Sequence, residues 1–144
     1  MTRYSGTDWG LLLLRLGFAA LLIGLHGWTR LLRAYNFVAH GQPWTFVDLV
    51  GRLGFPYPSV FAVLSALSES VAVALIAVGL FTRPAAAIVA FNMAVAFYNE
   101  AGKGDPFETP ALYLLLGLVV AVAGPGGLAI DRARAAAPVR KVRK

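Results

Sequence analysis

Cysteine is absent from the chain. That excludes disulfides, thiolate metal sites, iron–sulfur ligation and cysteine nucleophiles within these residues. Histidine is almost as scarce. His26 and His40 are the only two, which argues against a self-contained histidine-rich metal site or a bis-histidine haem, so no metal is expected. Charge is also thin: 14% of residues are Asp, Glu, Lys or Arg, against about 25% in ordinary soluble domains. Familiar catalytic patterns are missing too. There is no HExxH, no EF-hand loop and no Ser/His/Asp arrangement, and Gly124-Pro125-Gly126-Gly127 lacks the Lys-Ser/Thr that would make it a phosphate cradle. It reads as a helix terminator.

What is present is apolar. Hydrophobic residues make up 58% of the chain and the mean hydropathy is +0.69. A soluble domain of 144 residues leaves too much of its area in water to hide such a surface. The chain therefore reads as one compact membrane unit. Its net charge is +6 and its pI about 10.2. The basic residues gather in a tail, Arg132, Arg134, Arg140, Lys141, Arg143 and Lys144, where they act as a topology signal or an anionic-lipid contact. No aromatic stacking platform accompanies them, so nucleic acid is not expected as a partner.

A spanning helix needs about 20 mainly apolar residues, and four segments are read as spans. They are Trp9 to Leu32, Tyr57 to Phe81, Arg83 to Asn99 and Glu108 to Ala123. Asp8 or Thr7 is placed to cap the first. Arg15 interrupts its apolar run and no small-x-small site follows Leu25-His26-Gly27, so a retained helix is expected rather than a cleaved signal. Pro84 and Pro110 sit in first turns, and Gly124-Pro125-Gly126 ends the fourth segment. Between the first two spans, Trp44, Phe46, Val47, Val50 and Leu53 recur at helical spacing, which predicts a short amphipathic helix at the interface. The predicted fold class is all-α: a transmembrane four-helix bundle over residues 1–131 with one interfacial helix between helices 1 and 2, and a basic cytoplasmic tail over 132–144. The positive-inside rule places both termini in the cytoplasm of a bacterial-type cell, making this a multi-pass inner-membrane protein.

The candidate chemistry lies inside the apolar runs. Glu69 falls in the middle of the second span, where a carboxylate needs a partner or a task. Arg15 in the first span is the expected partner. Asn92 near the middle of the third span and Ser65 one turn from Glu69 complete a candidate polar network. Arg15 and His26 are eleven positions apart, which returns a regular helix to within about 20°. A stripe of Arg15, Leu22, His26 and Arg33 should therefore face other helices. Nearer the outer face, His26, Tyr98, Glu100 and Glu108 form a second candidate cluster, weighed against a plain interfacial histidine. An ion pair of this kind serves equally well to fix helix register.

Taken in order, several pieces resemble the DoxX family of small four-helix membrane proteins: Arg15; His26-Gly27-Trp28-Thr29-Arg30-Leu31; Gly54-Phe55-Pro56-Tyr57-Pro58; and Glu69. Gly79-Leu80-Phe81-Thr82-Arg83-Pro84-Ala85, Glu108 with Ala111-Leu112-Tyr113-Leu114, and Gly124 to Asp131 continue the series. Arg30 stands where lysine is expected. The resemblance covers nearly everything from Leu11 to Asp131. It implies a subunit role in quinone-linked redox or oxidative-stress membrane complexes, with the catalytic machinery free to lie in another subunit. The expected ligand is a quinone or lipid-like molecule, with no intrinsic cofactor. The expected partners are the lipid bilayer, redox-enzyme subunits and a second copy of the chain. A non-catalytic assembly or scaffold protein is the alternative, and a small transporter ranks last because four short helices leave little room for a path.

Overall fold

The computed structural model describes residues 4–136, and these are helical with no strand among them. The basic residues Arg140, Lys141, Arg143 and Lys144 lie outside the described residues. Helix α1 runs Gly6–His40, 35 residues, well past the expected end at Leu32. Its cap is Ser5, not Asp8 or Thr7. The Ser5 hydroxyl accepts from the Asp8 N–H at 3.2 Å, and the Asp8 carboxylate accepts from the Ser5 N–H at 2.9 Å. Asp8 thus serves three residues in, as the returning half of a capping box.

Helix α2 is Thr45–Arg52, the short helix that the aromatic spacing predicts. Helix α3 is Pro58–Val78, α4 is Thr82–Lys103 and α5 is Glu108–Ala123. The chain closes with α6, Ile130–Ala136. Helix α3 stops at Gly79, whose φ of +73° is a left-handed conformation that favours glycine. A Cβ there would also collide with the Arg15 guanidinium.

Helix α1 packs on α3 and α5, α3 on α4, and α4 lies along α5. Phe18, Leu22, Val73, Ile76, Val89, Met93, Tyr113 and Val120 fill the space between them. Gly117 lets α5 approach Ala90 of α4 closely, since a Cβ would come to 3.2 Å from the alanine methyl. A second cluster of Ala34, Trp44, Val50, Ala62 and Ala66 seats α2 against the far half of α1 and the start of α3.

Two helices, α1 and α3, are long and apolar enough to cross a bilayer. Helix α5 is apolar but has 16 residues, and α4 carries Arg83, Asn92, Asn99, Glu100 and Lys103. Leu13, Leu25, Phe91 and Leu115 face outward, and Val122 is 80% exposed, while Arg15 and Glu69 are 0% and 2% exposed. Apolar outside and charged inside is the arrangement a lipid solvent demands.

Candidate functional site

Both α1 and α3 carry a π-helical turn, at Ile23–Gly27 and Ser68–Ala72, and the two turns touch. The contact is backbone on backbone. Gly27 is buried, and a Cβ added to it would collide with the carbonyl oxygen of Glu69. Each π turn inserts one residue into the helical repeat, so the inward line shifts. On α1 the buried positions run Arg15, Phe18, Ala19, Leu22 and then Gly27, a last step of five. On α3 the wide turn buries Ser68, Glu69 and Ser70 in succession. The two serine hydroxyls are satisfied locally, donating to the Ser65 carbonyl at 2.8 Å and the Ala66 carbonyl at 2.7 Å.

Glu69 meets donors from two other helices. Arg30 Nη1 of α1 forms an ion pair with Glu69 Oε1, and Asn92 Nδ2 of α4 donates to the same oxygen at 2.9 Å. Oε2 accepts no hydrogen bond from the described residues. Arg30 is 32% exposed on its side chain, and its guanidinium lies 4.5 Å from the centroid of the Phe46 ring on α2, a cation–π distance. One arginine therefore connects the buried acid to α2.

Arg15 does not pair with Glu69. The crossing at Gly27 and Glu69 fixes the offset between the helices. Arg15 lies twelve residues from Gly27, about 18 Å along the axis, beyond the reach of its side chain. It sits instead at the end of α3, where Nη2 donates to the Leu128 carbonyl at 2.7 Å and Nη1 to the Ile76 carbonyl at 3.5 Å. Its Nε is buried and finds no partner among the described residues. This is a fastening for the Gly124–Asp131 segment. Asp8 accepts from the Gly127 N–H at 2.6 Å, and the Asp131 N–H donates to the Gly79 carbonyl at 2.8 Å. The Asp131 carboxylate in turn accepts from the N–H groups of Phe81 and Thr82 and from the Thr82 hydroxyl, at 2.8–2.9 Å. It caps α4 from fifty residues away and holds Phe81 in a left-handed conformation, φ +48°. Burial raises the Asp131 pKa, but the Thr82 and Phe81 donors and the nearby Arg134 charge outweigh it and hold the carboxyl below its ordinary value.

The π turn also breaks the expected stripe. Arg15 and Leu22 face inward, whereas His26 and Arg33 are exposed. His26 lies edge-on to Tyr113, ring centroids 6.1 Å apart. The outer cluster does not converge: Tyr98 is 77% exposed, Glu108 is exposed at the start of α5, and no hydrogen bond joins either to His26 or Glu100 among the described residues. Among the described residues no three His, Asp or Glu side chains gather as a metal site requires.

An apolar groove of about 520 Å³ opens beside the Glu69 network. Phe55, Phe61, Phe91 and Leu75 supply hydrocarbon, and Arg30, Ser65, Asn92, Asn99 and Glu100 supply the polar edge. Arg30 and Asn92, the two groups that hold Glu69, thus also face the groove. A volume of this size with a few polar groups in an apolar wall suits a small amphipathic molecule.

The family model that matches this sequence is DoxX, over residues 10–99. The chain belongs to the DoxX family. The match takes in Arg15, Gly27, Arg30, Glu69 and Asn92, so the entire network lies within the part that defines this DoxX protein. An uncharacterized protein of Haemophilus influenzae is 35% identical over 117 residues, covering 71% of this chain and 84% of its own length. No solved structure matches the chain. DoxX membership agrees with the apolar exterior and the two long apolar helices in marking a membrane protein.

Of the network, Asn92 is legible as a polar residue at the depth of Glu69. Arg30 is not, because a span ending at Leu32 puts it at the rim, whereas the helix continues eight residues further, to His40. The available signal was the cation-bearing His26-Gly27-Trp28-Thr29-Arg30 run, in which a glycine marks the crossing point.

Proposed function

We propose that this DoxX protein is a multi-pass inner-membrane subunit that holds a quinone, or a similarly amphipathic molecule, for a quinone-linked redox or oxidative-stress complex. In this reading α1, α3, α4 and α5 each cross the bilayer, α2 lies at its surface, and both termini are cytoplasmic. The observation that carries the proposal is an apolar groove whose wall includes Arg30 and Asn92, the two residues that clasp the buried Glu69 carboxylate behind it.

The residues fit such a ligand. A quinone has a flat ring, two carbonyl acceptors and an apolar tail. Phe55, Phe61 and Phe91 offer ring-sized apolar contacts, and Arg30, Asn92 and the Ser65 hydroxyl are the donors for a carbonyl oxygen. When bound, a quinone supplies two-electron, two-proton redox chemistry. Arg30 and Asn92 both fix the carboxylate through Oε1, so Glu69 orients the two donors that face the groove. With no cysteine and only His26 and His40 to offer, electrons reach the ligand from a partner subunit.

The test is to extract the protein with native lipid and quinone and measure the quinone retained. Asn92→Leu, which removes a donor while filling the same wall, should lose most of it. Arg15→Met, away from the groove, should keep the wild-type amount. Equal retention in both folded variants would refute the pocket.

One observation favours a second reading. The Arg30–Glu69–Asn92 cluster ties three helices together, which is also what a purely structural clasp does. A non-catalytic assembly or scaffold protein would then lose stability and partner recovery in the same variants with no change in any bound ligand.

A further inference from the structure

Next to the groove, and sharing Arg30, Phe46 and Leu49 with it, lies a second recess of about 400 Å³. Its wall carries Arg30 and Arg33 from α1, Arg52 from α2 and Lys103 from the last turn of α4. No carboxylate lines it. Arg30 is met by Glu69, and that is the one ion pair among the described residues. Arg33, Arg52 and Lys103 therefore face a common space with no carboxylate within ion-pair distance among those residues. Three uncompensated cations from three separate helices repel one another unless an anion joins them. Arginine forks and a lysine ammonium together match the oxygens of a phosphate.

We infer that the recess seats the phosphate of an anionic phospholipid. Free phosphate would account for the charge and for nothing else. The same wall is built from Trp44, Phe46 and Leu49, apolar groups that a hydrated inorganic anion gains nothing from touching. Through Phe46 and Leu49 the recess continues into the apolar groove, so a phosphate held by Arg33, Arg52 and Lys103 has a hydrocarbon exit at its side. The level is also that of a headgroup. Gly51, next to Arg52, lies against Pro58, the first residue of the apolar helix α3, and Trp44 is the kind of residue that lines a membrane–water boundary. The lipid holds the mouth of the groove, while the Glu69 network lies deeper, so this inference stands without the quinone.

The experiment uses the full chain in mild detergent, titrated with phosphatidylglycerol or phosphatidylcholine, with bound lipid counted by native mass spectrometry. Wild type should prefer phosphatidylglycerol. The variant Arg33→Gln/Arg52→Gln/Lys103→Gln should lose about tenfold or more of that affinity, since each cation near an anionic lipid contributes appreciably, with its thermal midpoint unchanged. The single substitution Arg33→Gln, at an exposed side chain, should show part of the same loss if the triple variant folds poorly. Arg83→Gln removes one cation at the opposite end of α4 and should bind as wild type, against the part loss in Arg33→Gln. Equal loss in Arg33→Gln and Arg83→Gln, no loss in the triple variant, or no preference between the two lipids would overturn the site. Release of the lipid by millimolar inorganic phosphate would reassign it to the free anion and overturn the lipid.

Discussion

Removing Arg30 should damage this protein in a way that removing Arg15 cannot. In Arg30→Met the Glu69 carboxylate stays 2% exposed with Asn92 as its one remaining donor. Stripping one partner from a fully buried ion pair costs about 3–5 kcal/mol, much of it the stranded charge. Arg30 itself is 32% exposed, and solvent screening brings the expected loss to about 2–3 kcal/mol. Glu69→Gln keeps an acceptor in place and removes the charge, so it should cost about 1 kcal/mol. In the double variant no charge is stranded, and the cycle should return a coupling of about 1.5–2 kcal/mol. Arg15 and Glu69 share no partner, and Arg15→Met with Glu69→Gln should be additive within about 0.5 kcal/mol. Reversible unfolding in mixed micelles, followed by tryptophan fluorescence, gives all six stabilities, wild type included. A larger coupling for 15/69 than for 30/69 would refute the helix offset set by the π turns.

Further outcomes follow from the same geometry. Gly27→Ala places a methyl on the Glu69 carbonyl oxygen, so α1 and α3 must separate at a cost of about 1–3 kcal/mol; Gly17→Ala, with open space around it, should be neutral, and equal effects would contradict the close crossing. Asp131 binds its proton less readily folded than unfolded, so the stability it contributes is complete above the ordinary value of 3.8 and is lost as pH falls through the depressed folded value. Limited proteolysis should therefore find the Gly124–Asp131 segment protected at pH 5 and released only below about pH 4, and Asp131→Asn should weaken protection at neutral pH while flattening that acid limb; an unchanged acid limb would be the contrary result. Single cysteines at Thr7 and Gly104 should label from opposite sides of the membrane if α1, α3 and α4 all cross it, and labelling from the same side would remove α4 from the spans.

Much of the fold is legible in local pattern. Hydropathy with Pro110 and the Gly124-Pro125-Gly126 stop bounds Glu108–Ala123, and the Trp44-to-Leu53 spacing locates Thr45–Arg52. Those segments follow one period from end to end. Helix α1 does not. A constant 100° step carried from Arg15 predicts an inward His26, and the π turn at Ile23–Gly27 puts Gly27 there instead. Composition gives no sign of that inserted residue except the five-step from Leu22 to Gly27. The partner of Arg15 was illegible for another reason. Its acceptors are the carbonyls of Ile76 and Leu128, and backbone acceptors leave no mark in a side-chain sequence. Gly124-Pro125-Gly126-Gly127 reads correctly as a terminator, yet its return to Asp8, Arg15 and Gly79 depends on contacts more than forty residues apart.

The most direct measurement is a structure determined from native membranes without added ligand, read at the groove beside Glu69. Elongated non-protein density is expected between Phe55 and Phe91, its polar end about 3 Å from Asn92 or Arg30, with Arg30 still on Glu69. Apolar side chains closing that space, or Arg30 turned away while Glu69 faces Arg15, would contradict it.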